Sequence, residues 1–283
     1  MRIGLITSDP GHPLLAATAA LLGDEHTVRT LDPETAAESA EAAEPPADVY
    51  LLKARTPRAI SLARALEGRG ARVLNSAAAT ELCQDRTAMA ERALRAGLPF
   101  AATRTHPSLT QLADERAPFS LHAPVVVKSR HSRKHDLVAR VDSAARLREL
   151  AAAHPEEPVV VQDFAPNSGW DHKLWAIGDR VFAALRRSEL SPEGRGPTLP
   201  LAPDRLPPGW SALVRRVGEV FALDVYGVDV IDTGGGVPLI VDVNAFPGVR
   251  DQPGAPEALA ALATASSAHP SPLTDGPAAP CAY

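Results

Sequence analysis

The sequence predicts an α/β fold in which an N-terminal parallel α/β unit precedes a mixed α+β segment and a C-terminal half built of antiparallel hairpins. Three observations predict it. Apolar strand-like runs alternate with Ala- and Leu-rich helical runs over residues 1–75, the pattern of a parallel sheet with helical crossovers. Two strand pairs in the C-terminal half are joined through the turns Gly178-Asp179 and Gly234-Gly235-Gly236, where glycine supplies the backbone freedom a tight hairpin needs. The 283 residues, 45% hydrophobic and 22% charged, suffice for a large core divided into two or three subdomains.

In chain order, a strand is expected at 3–7, a helix at 13–22 and a strand at 28–31. Residues 33–46, rich in Ala, Glu and Pro, read as helix or loop of low information. A strand at 49–52, a helix at 56–67 and a strand at 72–74 follow, and Asn75-Ser76 can cap a helix spanning 77–96. Gly97 and Pro99 stop that helix. The run PVVVK (124–128) reads as a strand, the polar stretch SRHSRKHD leads into a second strand at 137–141, and Asp142 caps a helix to 153. A strand at 159–164 (VVVQDF), a hairpin of 173–177 with 180–185, a helix at 211–221, and a strand pair 227–231 and 239–243 complete the pattern. These divisions predict units at 1–75, 76–163 and 164–263, with a disordered tail at 264–283.

Charge and cysteine usage exclude several classes. A formal net charge of −5 argues against nucleic-acid and anionic-membrane partners, which call for clustered basic surface. Two distant cysteines, Cys83 and Cys281, suggest neither a disulfide framework nor a zinc site. The opening MRIGLITSDPGH lacks the pattern of a secretory signal and no run reaches the length of a membrane span, so a cytoplasmic location is expected.

Strand periodicity converts spacing into chemistry. A two-residue turn at Gly178-Asp179 pairs Asp171 with Arg186, and Lys173 shares the face of Asp171. In the second hairpin Asp229 and Asp242 face each other if the loop has an even number of residues, as a four-residue loop 234–237 would have. Asn244 lies on the face of Asp242, so two carboxylates and an amide oxygen form an oxygen-only set suited to magnesium carrying nucleotide phosphates. Each of these residues taken singly also fits the wet face of an amphipathic strand; the ordered set is what points to a site.

That ordered set, with GVDV followed by IVDVNAFPG as its most specific part, resembles the ATP-grasp superfamily and in particular its RimK-like branch of carboxylate-amine ligases, over residues 75–248. The resemblance implies a Rossmann-like N-terminal domain preceding a two-subdomain ATP-grasp fold, with ATP and magnesium, for which manganese can substitute, as cofactors. It implies that Lys128 contacts a nucleotide phosphate, that Gln162, Asp163 and Phe164 hold adenine mostly through backbone groups, and that Asp171, Lys173 and Arg186 handle ribose, γ-phosphate and an acyl-phosphate intermediate. Asp229, Asp242 and Asn244 match magnesium ligands. Three departures stand out. The lid loop 129–135, which includes Lys134 among the nucleotide contacts, contains no glycine, so a side-chain clamp is expected in place of a backbone one. Asp85-Arg86 stands where the family has an Asp-Lys pair, and Asp242 where many relatives have Glu.

The chemistry implied is ADP-forming activation of a small-molecule carboxylate as an acyl phosphate, attacked by an amine, with Arg186 and Lys173 as catalytic residues. The carboxylate is placed between Arg186 and the N-terminal segment, where Lys53, Arg55 and the loop 8–12 offer charge. A lid at 100–153 is expected to close over ATP, with Gly97 and Pro99 near a hinge, and a homodimer is the oligomer the resemblance suggests. An intramolecular ring-closing ligase, a kinase of a polyol phosphate drawing on the basic loop 129–135, and a non-catalytic nucleotide-binding protein remain open alternatives.

Overall fold

A computed structural model of the chain describes residues 1–35, 47–114, 123–133, 135–191, 194 and 196–265. Most of the low-information stretch 33–46, Lys134 and the tail from 266 onward lie outside the described residues.

The first sheet comprises β1 (Arg2–Ile6), β2 (Thr27–Leu31), β3 (Val49–Leu52) and β4 (Arg72–Leu74), all parallel in the order β2-β1-β3-β4. Its inner strand β3 is apolar and buried throughout, as a parallel strand covered on both faces should be. Helices α1 (Pro13–Leu22) and α2 (Pro57–Gly68) supply the crossovers, and Thr56 caps α2 by accepting the Ala59 N–H, with Pro57 at the first helical position. Gly4 sits opposite Tyr50 because the tyrosine ring occupies the space a Cβ would need. The alternation of the sequence therefore forms the parallel sheet expected of it.

The helix expected over 77–96 is two helices, α3 (Ala77–Leu82) and α4 (Arg86–Arg95). The break is chemical: Asp85 is an N-cap whose carboxylate accepts the Thr87 and Ala88 N–H groups. It is also structural, since Asp85 bridges to His131 and the Arg86 N–H donates to the Arg130 carbonyl.

The second sheet is antiparallel, in the order β5-β8-β6-β7: β5 (Thr103–His106), β6 (Val125–Ser129), β7 (Val138–Val141) and β8 (Val159–Asp163). Helices α5 (Leu109–Asp114) and α6 (Ala144–Ala153) cover one face through Leu109, Leu112, Leu147 and Leu150. Ser143, not Asp142, caps α6; Asp142 turns instead to Arg140. Neither β5 nor α5 was expected, because both are short and flanked by polar residues.

The third sheet runs β11-β10-β9-β12-β13 and is antiparallel: β9 (Trp170–Ile177), β10 (Arg180–Arg187), β11 (Thr198–Leu201), β12 (Val225–Asp232) and β13 (Pro238–Ala245). Helix α7 (Trp210–Phe221) buries Trp210, Val214, Val217 and Phe221 against it. Helix α8 (Ala255–Thr264), unforeseen in the Ala-rich sequence, packs against α1. Asn75 ties this sheet to the first, donating to the Val225 carbonyl at 2.6 Å and accepting the Asp224 and Val225 N–H groups.

The expected four-residue loop in the β12–β13 hairpin is corrected. Asp232 pairs with Pro238, leaving the odd-numbered loop 233–237, yet Asp229 still faces Asp242 because the ladder shifts between Asp229 and Val230 and leaves Val241 as a bulge. The extra residue restores the register that the odd loop alone would have lost.

Candidate active site

Residues from all three sheets and their loops line one cavity of about 970 Å³. Its floor is a row of facing residues across three strands: Lys173 on β9 opposes Asp229 on β12, which opposes Asp242 on β13. Lys173 Nζ lies 2.8 Å from Asp229 Oδ2 and 3.5 Å from Asp171 Oδ2. His172, between them in sequence, points to the other face and meets the Trp210 ring edge-on at 4.7 Å, as strand alternation requires. One residue pair further along, Gly227 opposes both Trp175 and Asn244, and Trp175 and Pro247 crowd the space a Cβ would take there.

Two buried cations approach this floor. Lys128 Nζ donates to the carbonyl of the bulge residue Val241 at 2.8 Å. Arg86 reaches in from the start of α4, with Nη2 3.1 Å from Asp242 Oδ2 and Nη1 2.6 Å from Asp136 Oδ2 and 2.8 Å from the Ser129 carbonyl. Its Nε is buried without a partner among the described residues, a donor left over for an oxygen ligand. Burial would raise the Asp242 carboxyl, but Arg86, Lys128 and Lys173 hold it below the usual carboxylate range, so it is ionised. Burial would lower the Arg86 guanidinium, and Asp242 and Asp136 overcome this and raise it. Burial pushes the Lys128 ammonium down, opposed by Asp242.

The oxygen set of Asp229, Asp242 and Asn244 fits a magnesium ion chemically. Among the described residues no three His, Cys, Asp or Glu converge on one point, so phosphate oxygens would complete the coordination, which is how magnesium is commonly held beside a nucleotide.

On the opposite wall, Gln162 is buried and donates to Thr103 Oγ1 at 3.1 Å. The Asp163 carboxylate turns outward to Arg104 at 2.9 Å. The Phe164 N–H is taken by the Pro124 carbonyl, and the Arg140 guanidinium lies 4.2 Å from the Phe164 ring centroid. Gln162, Asp163 and Phe164 all line the cavity, and the Phe164 N–H is already engaged within the sheet. Arg186 lies opposite Asp171 and Thr198 in the ladder, lines the cavity and has no ion-pair partner among the described residues.

In the basic loop, Ser132 and Arg133 line the cavity. Arg130 is held by Asp85 at 2.6 Å and Arg133 by Glu157 at 2.7 Å, which neutralises both. Lys134 is outside the described residues. Sequence reasoning missed Asp136, the sole acid of that run and hence its one visible anomaly, and it missed Arg250, which follows the Asp-Val-Asn-Ala-Phe-Pro-Gly stretch and lines the cavity.

Comparison with known proteins identifies the fold and the family. The family model described as the RimK-like ATP-grasp domain matches residues 91–254. A probable alpha-L-glutamate ligase 2 of Hahella chejuensis is 31% identical over 136 residues, 45% of this chain and 44% of that protein. The chain therefore spans less than half the length of this curated relative. Among solved structures, a RimK domain protein ATP-grasp from Sphaerobacter thermophilus superposes with a TM-score of 0.73 at 24% identity, covering 93% of this chain and 99% of that one. A Bacillus anthracis D-alanine–D-alanine ligase complexed with ATP gives 0.61 at 16% identity, covering 88% and 87%. These two establish the fold, and with the match over residues 91–254 the chain belongs to the RimK-like ATP-grasp family.

Proposed function

We propose that the chain is an ATP-dependent, ADP-forming carbon–nitrogen ligase that activates a small-molecule carboxylate as an acyl phosphate for attack by an amine. The observation that carries this reading is the set of ion pairs on the cavity floor, with Arg186 beside them holding no ion-pair partner among the described residues. Asp242 is matched by Arg86 and Asp229 by Lys173. Magnesium held by Asp229, Asp242 and Asn244 would supply charge neutralisation at the transferring phosphate, and manganese could take the same oxygen ligands. Arg86, Lys128 and Lys173 would then be free to face the triphosphate, so each buried charge keeps a partner in both states.

In this reading the 162–164 segment and the Phe164 ring hold the purine, and Asp171 serves the ribose. Lys128 and Lys173 neutralise the migrating phosphoryl charge. Arg186 orients the substrate carboxylate so that one of its oxygens attacks the γ-phosphorus, the bond to the ADP oxygen breaks, and an acyl phosphate forms. The amine then adds to the acyl carbon, loses a proton, and inorganic phosphate leaves. Residues 1–75, 76–163 and 164–263 are taken as the N-terminal, lid-bearing and magnesium-site units. Closure of the lid segment pivots beyond Ala101, since the Ile240 N–H donates to the Pro99 carbonyl and the Ala101 N–H to the Ile240 carbonyl.

The test is ADP release with magnesium across pooled amino acids, small diacids and amines, with products identified by mass spectrometry. ADP that forms only with a carboxylate present, with a conjugate lighter by one water, and that vanishes in Asp242→Ala supports the ligase. Label transferred to an alcohol, or nucleotide binding with no turnover, overturns it.

A further inference from the structure

On the cavity floor Arg86 and Lys173 are matched by carboxylates, whereas among the described residues no ion pair reaches the cations Lys53, Arg55 and Arg250 that also line the cavity. Lys53 and Arg55 follow β3, where the Lys53 and Ala54 N–H groups donate to the Ile6 carbonyl, and Lys53 Nζ donates to the Phe246 carbonyl at 3.0 Å. Arg250 sits in a turn whose neighbours Val249 and Asp251 take left-handed φ angles of 38° and 55°, a strained path that brings its side chain back over Gly248. His12 reaches the same place: a Cβ on Gly248 would stand 3.6 Å from His12 Nε2 and 3.7 Å from Arg250 Nε. His12 is also the N-cap of α1, whose first turn carries no acidic residue and whose cap makes no side-chain hydrogen bond.

We infer that His12, Lys53, Arg55 and Arg250 form a second anion site, which takes a carboxylate or phosphate group that the substrate carries in addition to the carboxylate being activated. The inference rests on the ligase reading for its second half and on geometry alone for its first.

Three independent observations support an anion. His12 is 8% exposed and its Nδ1 is buried without a partner among the described residues. No ion pair joins Lys53, Arg55 or Arg250 to a carboxylate among the described residues, and Asp9 is the acid that Lys53 and His12 feel, outweighed by the surrounding cations. The N-terminus of a ten-residue helix adds its own positive end, with unsatisfied N–H groups. Burial and the like charges of Arg55 and Arg250 push the Lys53 ammonium down to about 8, a repulsion that an oxyanion would relieve. The same cavity is lined by Arg186, Asp229, Asp242 and Asn244, so the anion site opens onto the proposed reaction site. Substrates of this class are diacids, amino acids whose carboxylate is not the reacting one, or phosphorylated acids.

The test uses the full chain with magnesium and a non-hydrolysable ATP analogue filling the triphosphate site, titrated with glutarate and, separately, inorganic phosphate, and read as thermal stabilisation. Both anions are expected to stabilise the wild type, the stronger naming carboxylate or phosphate as the native group. Arg250→Gln and Lys53→Gln are expected to weaken that binding by about tenfold each, while Arg250→Lys retains most of it. In the absence of anion, both Gln variants should melt no lower than the wild type, because each removes a like charge from a repulsive cluster, whereas a merely structural role would lower the melting point. Asp242→Ala should keep anion binding measured without nucleotide, so a failed ligase and a failed anion site give different results. No stabilisation by either anion, or full stabilisation surviving in both Gln variants, overturns the inference.

Discussion

Arg86 and Asp242 meet at 3.1 Å across 156 residues of sequence, and the same guanidinium reaches Asp136 at 2.6 Å, so one side chain joins α4, the loop after β6 and the last strand of the third sheet. All three groups are largely buried, with the Arg86 side chain 6% and the Asp242 side chain 14% exposed. A lysine could match the charge but not hold the two carboxylates from two separate nitrogens as Nη1 and Nη2 do.

Arg86→Ala therefore removes the ion-pair partner of Asp136 and one of the three cations that face Asp242, and the expected loss is about 3 kcal/mol, the low end of the range for breaking a buried pair from one side. Arg86→Lys should recover a part of this. Equilibrium urea unfolding checks both, and magnesium alone should restore stability to Arg86→Ala by taking over the charge on Asp242; a variant indifferent to magnesium would contradict the placement of the metal.

Much of the cavity floor was legible in the sequence because strand alternation is a strict rule. Asp171, Lys173 and Arg186 stand as a two-residue turn requires. Asp229 and Asp242 face each other for a different reason from the one expected, since a bulge at Val241 compensates an odd loop, and no residue type announces a bulge in an apolar strand. The break at Asp85 was hidden because an Asp within a helical run reads as readily as a surface residue as an N-cap; its capping bonds and its contacts with Arg130 and His131 reveal it. His12, Lys53 and Arg250 come together from distant parts of the chain through tertiary packing, which periodicity does not encode.

Asp85 should make part of the stability depend on acid pH. Burial would raise its carboxyl, but the hydrogen bonds from Arg130 and from the Thr87 and Ala88 N–H groups outweigh this and lower it. A carboxylate lowered in the folded state contributes stability that is present above its unfolded value and is lost as pH falls through the folded value. Asp85→Asn keeps much of the cap but loses the Arg130 pair, at a cost of about 1 kcal/mol near neutrality, and the difference from wild type should shrink on acidification. Denaturant midpoints across that window measure it.

Arg186 has no ion-pair partner among the described residues, so its removal leaves no buried carboxylate exposed to loss. Arg186→Gln should fold with near wild-type stability and bind the ATP analogue normally, yet lose ADP release by about two to three orders of magnitude, since the lost group acts on charge that develops during transfer. Nucleotide titration beside steady-state turnover separates the two effects, and equal losses in both would reassign Arg186 to nucleotide binding.

Lys53 gives a pH slope of the same sign as Asp85 in a more alkaline window, but here it is the charged form that opposes folding. Its folded value of about 8 lies below the 10.5 of an unperturbed lysine. Between those values the unfolded chain binds more protons than the folded one, so stability attributable to Lys53 rises with pH across that window and is lowest below it. The full effect corresponds to about 3 kcal/mol against folding at neutral pH, an upper bound since the group keeps some solvent contact. Lys53→Met should consequently be more stable than the wild type near pH 7 and lose that advantage as pH approaches 10.5. An oxyanion beside Lys53, Arg55 and Arg250 would restore the ammonium to its usual range and flatten the wild-type slope, so unfolding measured against pH with and without phosphate reads the repulsion and its relief in one experiment. A slope unchanged by phosphate would show that the anion binds elsewhere.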